Sequence, residues 1–234
     1  MLDIAGQKVP WLRRLDHLIC EVPNIEEAMD VFQAHGFPVA WPIGRFWPTG
    51  RTSGVALGGL NLEFIEFDEG APEVAQIRTL VFEPTDLQSA AETLTRLNIP
   101  MRITDKVEAN PDLLQLRGFS AEDSQSTQLI CRNAYPIEPQ PYDFFLCDYA
   151  PFLKARLLPK AFPGVPPIRS IILGSPNPWE DWGPANSAFG LPEKERGCEL
   201  WISESAHPTR EVIEIISDRG PLDFGDWPAS FRFS

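Results

Sequence analysis

Residues 15–24 read Leu15-Asp16-His17-Leu18-Ile19-Cys20-Glu21-Val22-Pro23-Asn24, an apolar run that ends in a proline and an asparagine. This pattern predicts a β-strand that leads into the capped start of an α-helix. Two later stretches repeat it, residues 77–86 (IRTLVFEPTD) and residues 168–177 (IRSIILGSPN). Because the same pattern returns twice, the chain is predicted to consist of repeated supersecondary units.

A helix is predicted after each of these strands, over residues 25–35, 87–97 and 179–189. Apolar residues recur with helical spacing in the first two, whereas Gly183 and Pro184 interrupt the third. Each helix ends in a stop signal of Gly or Asn followed by Pro: Gly36-Phe37-Pro38, Asn98-Ile99-Pro100 and Gly190-Leu191-Pro192. β-like segments follow at 39–47, 53–57 and 61–67, at 127–132 and 142–149, and at 198–203 and 211–217. The predicted unit is βαβββ, present twice in full and once in a shorter form.

The prolines suggest how the units are divided. They are densest between Pro151 and Pro167, and proline seldom lies inside helices or central strands. We therefore predict paired units in residues 1–150, a proline-rich linker over 151–167 and a third partial unit in 168–234. The fold class is α+β.

Charge and composition narrow the functional classes. The chain has 33 acidic against 20 basic residues, a net charge of −13, which disfavours binding to nucleic acids and to anionic membranes. No apolar run approaches the roughly 18 residues of a membrane span, and no signal peptide is evident. The four cysteines form no Cys-x-x-Cys pair, which is typical of a reducing compartment. We expect a cytoplasmic protein whose partner is a small molecule.

Two short motifs in the first unit carry a family resemblance. They are Leu15-Asp16-His17-Leu18 and Gly58-Gly59-Leu60-Asn61-Leu62-Glu63-Phe64, both within residues 15–67. Within a repeated βαβββ unit, they resemble the glyoxalase-like members of the vicinal oxygen chelate superfamily. That superfamily includes glyoxalase I, the bleomycin resistance proteins and the extradiol dioxygenases. The resemblance implies that two units pair into a cup-shaped mixed sheet around a divalent metal, with ligands from the first and last strand of each unit.

Carried over to this chain, the resemblance places metal ligands at His17 and Glu63. Imidazole nitrogen and carboxylate oxygen suit Fe, Mn, Ni or Zn. The alternation of side chains along a strand agrees with this assignment, because each candidate ligand points away from the apolar residues of its own strand. Those apolar residues are Leu18, Cys20 and Val22 in the first strand and Leu62 and Phe64 in the last. Both side chains are therefore expected to face into the cup.

The second unit departs from the family pattern. Its equivalents of His17 and Glu63 are Thr79 and Phe145, neither of which is a metal ligand. The third unit aligns Glu214 with Glu63, so a set of His17, Glu63 and Glu214 is one expectation, and a degenerate site is the other. The short connection between units one and two favours their pairing in the cup, with Thr79 and Phe145 lining it. The third unit would then pack beside them or pair with its copy in a homodimer.

Further residues suggest a ligand pocket or a structural role. The aromatic residues Trp41, Phe46 and Trp47 form either the floor of an apolar pocket or part of the core or of an interface. Arg45 and Arg51 flank them, and either pairs with a ligand carboxylate or phosphate or lies at the surface. The other two histidines fit structural roles, His35 at a helix end and His207 in a turn before Pro208.

Two functional hypotheses follow. The first is a divalent-metal-dependent lyase, isomerase or dioxygenase acting on vicinal oxygens of a small substrate, with the metal as Lewis acid and Glu63 or Glu214 as a base. The second is a metal-free protein that binds or sequesters a small molecule, as the bleomycin resistance proteins do. His17 and Glu63 favour the first hypothesis, and the missing ligands of unit two favour the second.

Overall fold

The computed structural model describes residues 11–58, 60–140 and 143–157 with their side chains, and the strands over 168–175, 199–204 and 212–217 by their backbone. The first unit contains β1 (Leu12–Glu21), α1 (Ile25–Ala34), β2 (Val39–Trp47), β3 (Gly50–Ala56) and β4 (Asn61–Phe67). The second contains β5 (Gln76–Pro84), α2 (Leu87–Arg96), β6 (Met101–Glu108), α3 (Pro111–Leu116), β7 (Gln128–Pro136), β8 (Asp143–Tyr149) and α4 (Pro151–Leu157). Three further strands follow, β9 (Ile168–Ser175), β10 (Glu199–Glu204) and β11 (Val212–Ser217).

Units one and two share one eight-stranded sheet with the order β2-β3-β4-β1-β5-β8-β7-β6. The two halves repeat each other, since β4 is parallel to β1 and β8 is parallel to β5. An antiparallel pairing of β1 with β5 joins them at the centre. The sheet curls into a half-barrel. The predicted cup-shaped mixed sheet is therefore confirmed, and strands of both units contribute to it.

The strand register identifies equivalent positions in the two halves. His17 pairs with Asn61 in the first half, and Thr79 pairs with Asp143 in the second. Two residues further along, Glu63 occupies the place that Phe145 occupies in the second half. The backbone pairing thus aligns Phe145 of the second half with Glu63 of the first.

The third unit forms a separate three-stranded sheet in which β9 lies between β10 and β11. β9 is parallel to β10 and antiparallel to β11, as β1 is parallel to β4 and antiparallel to β5. The equivalent of β4 is therefore β10, where Trp201 takes the register position of Glu63. The pairing does not support the alignment of Glu214 with Glu63, which rested on matching Ile213-Glu214-Ile215 to Leu62-Glu63-Phe64. The helix predicted over 179–189 lies outside the described residues, as does His207.

Alternating residues of the central strands face two different apolar clusters. The cluster on the convex side includes Leu18 and Phe64 and packs against buried residues of α1 and α2. The cluster on the concave side includes Ile19, Ile65 and Phe145, together with residues of α3 and α4. Helices thus cover both faces, and the alternation predicted for the first and last strands of unit one is confirmed.

The predicted ends of α1 and α2 lie within one residue of the observed ones, for local reasons. Side chains of Asn24 and Asp86 accept hydrogen bonds from the first turns of α1 and α2. Gly36 and Asn98 follow the helices with φ of 79° and 63°, in the left-handed conformation that ends a helix. None of the helices in the described part of the chain is long and apolar enough to span a membrane.

The predicted linker begins too early. Pro151–Leu157 form α4, which a proline starts and which packs on β8 through the fully buried Leu153. Lys154 Nζ lies 2.8 Å from Glu83 Oε1, and Asn61 Nδ2 donates to the Leu157 carbonyl at 3.1 Å. Residues 151–157 therefore belong to the paired units, and the rest of the predicted linker lies outside the described residues.

Candidate functional site

His17 lies on the concave face of the sheet, between two carboxylates. Its side chain is only 3% exposed. Nδ1 is 2.8 Å from Asp16 Oδ2 on one side, and Nε2 is 3.2 Å from Glu63 Oε2 on the other. Asp16 in turn accepts a hydrogen bond from Arg14 Nη2. The imidazole is thus fixed in orientation at both nitrogens.

The neighbouring carboxylates favour the protonated form of His17, and His17 in turn favours the ionised form of Glu63. Burial opposes the imidazolium, but the hydrogen bonds and negative charges of Asp16 and Glu63 outweigh it and raise the pKa of His17 to about 9. Burial likewise opposes the Glu63 carboxylate, yet the hydrogen bond and charge of His17, with the charge of Lys106, hold the pKa of Glu63 below its ordinary value. At neutral pH the site therefore contains a cationic His17 beside the Glu63 carboxylate.

A concave pocket opens beside this pair and draws on both halves of the sheet. This concave pocket is lined at its base by His17, Thr52 and Glu63. Aromatic residues of β2 and β8 and residues of α3 and α4 form the rest of its lining. The aromatic lining residues are Trp41, Phe46, Trp47, Phe145 and Tyr149. The pocket therefore combines a hydrophobic wall with one charged pair at its base, as small-molecule sites do.

The two edge strands of the half-barrel approach each other across the pocket. Lys106 Nζ of β6 lies 4.7 Å from the ring centroid of Trp47 in β2. α3 of unit two also packs on β2, where a Cβ at Gly44 would stand 2.6 Å from Leu116 Cδ2. The absence of a side chain at Gly44 thus allows α3 to close over the pocket.

A second cation lies where α3 ends. Arg117 stacks its guanidinium 4.1 Å from the ring centroid of Phe46, and its side chain also lines the pocket. The Nε and Nη2 atoms of Arg117 are buried and have no hydrogen-bond partner among the described residues. Burial lowers the pKa of Arg117 from its ordinary value, but guanidinium remains charged at physiological pH.

Most, but not all, of the predicted site residues meet in this pocket. His17, Glu63, Trp41, Trp47 and Phe145 line it. The aromatic residues of β2 thus line this pocket, and Phe46 is also buried while Trp47 packs against the concave apolar cluster.

Two predicted pocket residues lie elsewhere. Thr79 pairs with Ile19 across the β1–β5 contact, and it lines a neighbouring groove rather than the concave pocket. Arg51 follows the alternation of β3, so Thr52 faces the pocket and Arg51 forms ion pairs with Glu26 and Glu66 instead. Arg45 likewise pairs with Asp68 at the surface.

Sequence reasoning missed the cations of the pocket. Lys106, Arg117 and Arg156 line it, from β6, the end of α3 and α4. None of them belongs to a repeated motif, and the segment around the first two had no clear periodicity. Only the helix-forming run of residues 151–157 gave a local signal, which the density of prolines obscured.

The residues present do not make the metal site that the resemblance implied. His17 and Glu63 do converge on the same face, but a catalytic metal needs about three protein ligands. The second half offers Thr79 and Phe145, and the described residues contain no group of three His, Cys, Asp or Glu side chains able to hold an ion. Lys106 and Arg117 add positive charge to the pocket, which opposes a divalent cation.

Comparison with solved structures places this architecture among known folds. A hypothetical protein from Staphylococcus aureus matches 94% of this chain and 98% of its own length, with a TM-score of 0.65 and 9% identity. A variant of 4-hydroxymandelate synthase from Streptomyces coelicolor matches 88% of this chain and 71% of its own, with a TM-score of 0.54 and 12% identity.

A variant of homoprotocatechuate 2,3-dioxygenase from B. fuscum matches 89% of this chain but only 57% of its own length, with a TM-score of 0.52 and 10% identity.

No family model matches the sequence, and neither does any curated protein. Identities this low establish a shared fold and not a shared activity. The synthase and the dioxygenase both belong to the vicinal oxygen chelate superfamily. This chain therefore has the vicinal oxygen chelate fold, with two βαβββ units in one half-barrel sheet.

Proposed function

We propose that this protein binds a small aromatic or apolar molecule in the concave pocket without a divalent metal. The observation that carries the proposal is the exchange of a ligand position for an aromatic one: Phe145 stands where the register repeats Glu63. Phe145 packs edge-on to His17, with ring centroids 6.4 Å apart, and thus takes up space beside the charged pair.

The walls of the pocket support the same function. Trp41 and Trp47 line one side, and Tyr135 stacks behind Phe145 with ring centroids 4.9 Å apart. Aromatic side chains bury large apolar areas and favour flat ligands. Glu63 is committed to His17 by a 3.2 Å contact, so it serves as the polar base of the pocket.

Binding of a neutral aromatic probe, N-phenyl-1-naphthylamine, tests this proposal by fluorescence. We expect one probe per chain, with the same affinity before and after treatment with a chelator. Trp47→Ala should weaken binding about fivefold or more, because it removes an aromatic wall. Phe152→Ala is the matched control, since Phe152 is 49% exposed and is not part of the pocket lining.

The proposal fails if the wild-type protein does not bind the probe, or if chelation abolishes binding and a divalent metal restores it. Equal losses in Trp47→Ala and Phe152→Ala would also contradict it, because they would locate the probe outside the pocket.

A metal-dependent lyase, isomerase or dioxygenase is the second candidate. It is favoured by the convergence of His17 Nε2 and Glu63 Oε2 at 3.2 Å and by the contact of Asp16 with the other nitrogen, as in the carboxylate–histidine pairs that orient metal ligands. Metal analysis of the purified protein separates the two candidates. Near-stoichiometric metal that is lost in His17→Ala would favour this enzyme over the metal-free binding protein.

A further inference from the structure

The end of α3 places a guanidinium at the wall of the concave pocket. The buried Leu114 anchors α3 on the concave face, and the backbone N–H of Arg117 caps the helix by donating to Leu113 and Gln115. Gly118 follows with φ of 90°, and a Cβ there would collide with the guanidinium of Arg156. The chain therefore turns sharply after Arg117, and the Arg117 side chain stacks on Phe46.

Two of the Arg117 nitrogens lack acceptors. Nε and Nη2 are both buried and make no hydrogen bond within the described residues. Buried donors are nearly always paired in folded proteins, and an unpaired charged one is costly. Nε and Nη2 form one edge of the planar guanidinium, the edge whose two N–H groups match the two oxygens of a carboxylate. An oxyanion with this geometry would satisfy both donors at once.

The charge balance of the pocket also favours an anion. Lys106, Arg117 and Arg156 line it, whereas Glu63 is the one carboxylate among the described residues of its lining. The positive charge of His17 is already balanced by Glu63 and by Asp16, which contacts its other nitrogen. The chain as a whole carries a net charge of −13, so this concentration of cations contrasts with the rest of the protein. Cations in a low-dielectric cleft attract an anionic ligand more strongly than the same charges at the surface do.

We propose that Arg117 binds the carboxylate of an aromatic or apolar carboxylic acid through its Nε–Nη2 edge. The apolar body of the ligand then lies against Phe46, Trp47 and Phe145, with Lys106 as the second cation. A carboxylate fits better than a phosphate, because it is planar and carries a single charge in a pocket that also holds Glu63. This inference rests on the proposed function and names the ligand class for the same pocket.

The test compares two probes of one shape, 2-naphthoate and its neutral amide 2-naphthamide, on the full chain. Their affinities are measured by displacement of N-phenyl-1-naphthylamine. We expect the wild-type protein to bind the carboxylate about tenfold more tightly than the amide. Arg117→Gln should remove this preference by weakening the binding of the carboxylate more than that of the amide, and its circular dichroism spectrum should match that of the wild type, which shows that the variant is folded. Arg117→Lys should restore part of the preference, because it keeps the charge without the planar edge.

Arg132→Gln is the matched control, since Arg132 pairs with Asp105 on the β6–β7 hairpin and lies outside the pocket. It should leave both affinities unchanged. Equal wild-type affinities for the carboxylate and the amide overturn the inference, and so does a preference that survives in Arg117→Gln. Tighter binding of 2-naphthyl phosphate than of 2-naphthoate would overturn the assignment to a carboxylate. If the wild-type protein does not bind the neutral probe N-phenyl-1-naphthylamine at all, the proposed function itself is refuted.

Discussion

The surroundings of His17 at the base of the pocket predict how the stability of the protein depends on pH. Asp16 and Glu63 raise the pKa of His17 from 6.5 to about 9, a difference of about 2.5 pH units. At 1.36 kcal/mol for each unit, the folded state favours the imidazolium by about 3 kcal/mol. Because the folded-state pKa is the higher one, this stability is fully present below pH 6.5 and is lost as the pH rises through about 9.

Nuclear magnetic resonance of ¹⁵N-labelled imidazoles measures the pKa directly, since the chain has only three histidines, His17, His35 and His207. One histidine should titrate near pH 9, and its signals should disappear in His17→Gln. Glu63→Gln should lower that pKa, because one of the two anions beside the ring is removed. Urea unfolding of the wild type and of His17→Gln over the same pH range tests the linked loss of stability.

A His17 pKa at or below its ordinary value of 6.5 would refute the reasoning, because burial would then outweigh the two carboxylates. An unchanged pKa in Glu63→Gln would show that the 3.2 Å contact does not carry the interaction.

Three further changes test how the fold supports the pocket. Glu83→Gln should lower the free energy of unfolding, measured in urea, by about 2–3 kcal/mol, because it leaves Arg14 and Lys154 without their buried anionic partner. Glu92→Gln is the control, since the Glu92 side chain is exposed. The pKa of Glu83 is also held below its ordinary value, where burial is outweighed by these cations, so its contribution should disappear as the pH falls through that lowered pKa. Leu153→Ala should cost about 2–5 kcal/mol by the same measurement, because the side chain is fully buried. Gly50→Ala should lower the melting temperature more than Gly70→Ala does. A Cβ at Gly50 would lie 2.6 Å from the Glu66 carbonyl oxygen, a steric clash with the backbone. A Cβ at Gly70 would meet no atom within 4 Å, so alanine there has only the cost of a positive φ of 74°.

Two of these three outcomes have a result that would contradict them directly. A neutral Leu153→Ala substitution would return residues 151–157 to the predicted linker. Equal losses in Glu83→Gln and Glu92→Gln would mean that the cluster around Glu83 contributes no more than a surface charge.

The repeated units could be predicted from the sequence because their signals are local. Apolar runs, capping residues and stop signals act within a few residues, so α1 and α2 were predicted to within one residue. The side of the sheet that His17 and Glu63 face follows from strand alternation, which is also local. Their meeting at 3.2 Å, and the occurrence of Phe145 at the equivalent position, agree with that prediction.

The composition of the pocket depended on contacts between distant segments. Lys106 and Arg117 reach it because the sheet curls until β6 and α3 approach β2, and no pattern near either residue records that curvature. The place of Glu214 likewise depended on which strand pairs in parallel with β9, because the resemblance of Ile213-Glu214-Ile215 to Leu62-Glu63-Phe64 does not show strand pairing. Sequence alone thus determined the units, their order and the inward-facing His17 and Glu63, because backbone propensity and alternation act over short distances. Tertiary structure alone decided which charges share the pocket with them, because pairing and curvature bring together residues that are far apart along the chain.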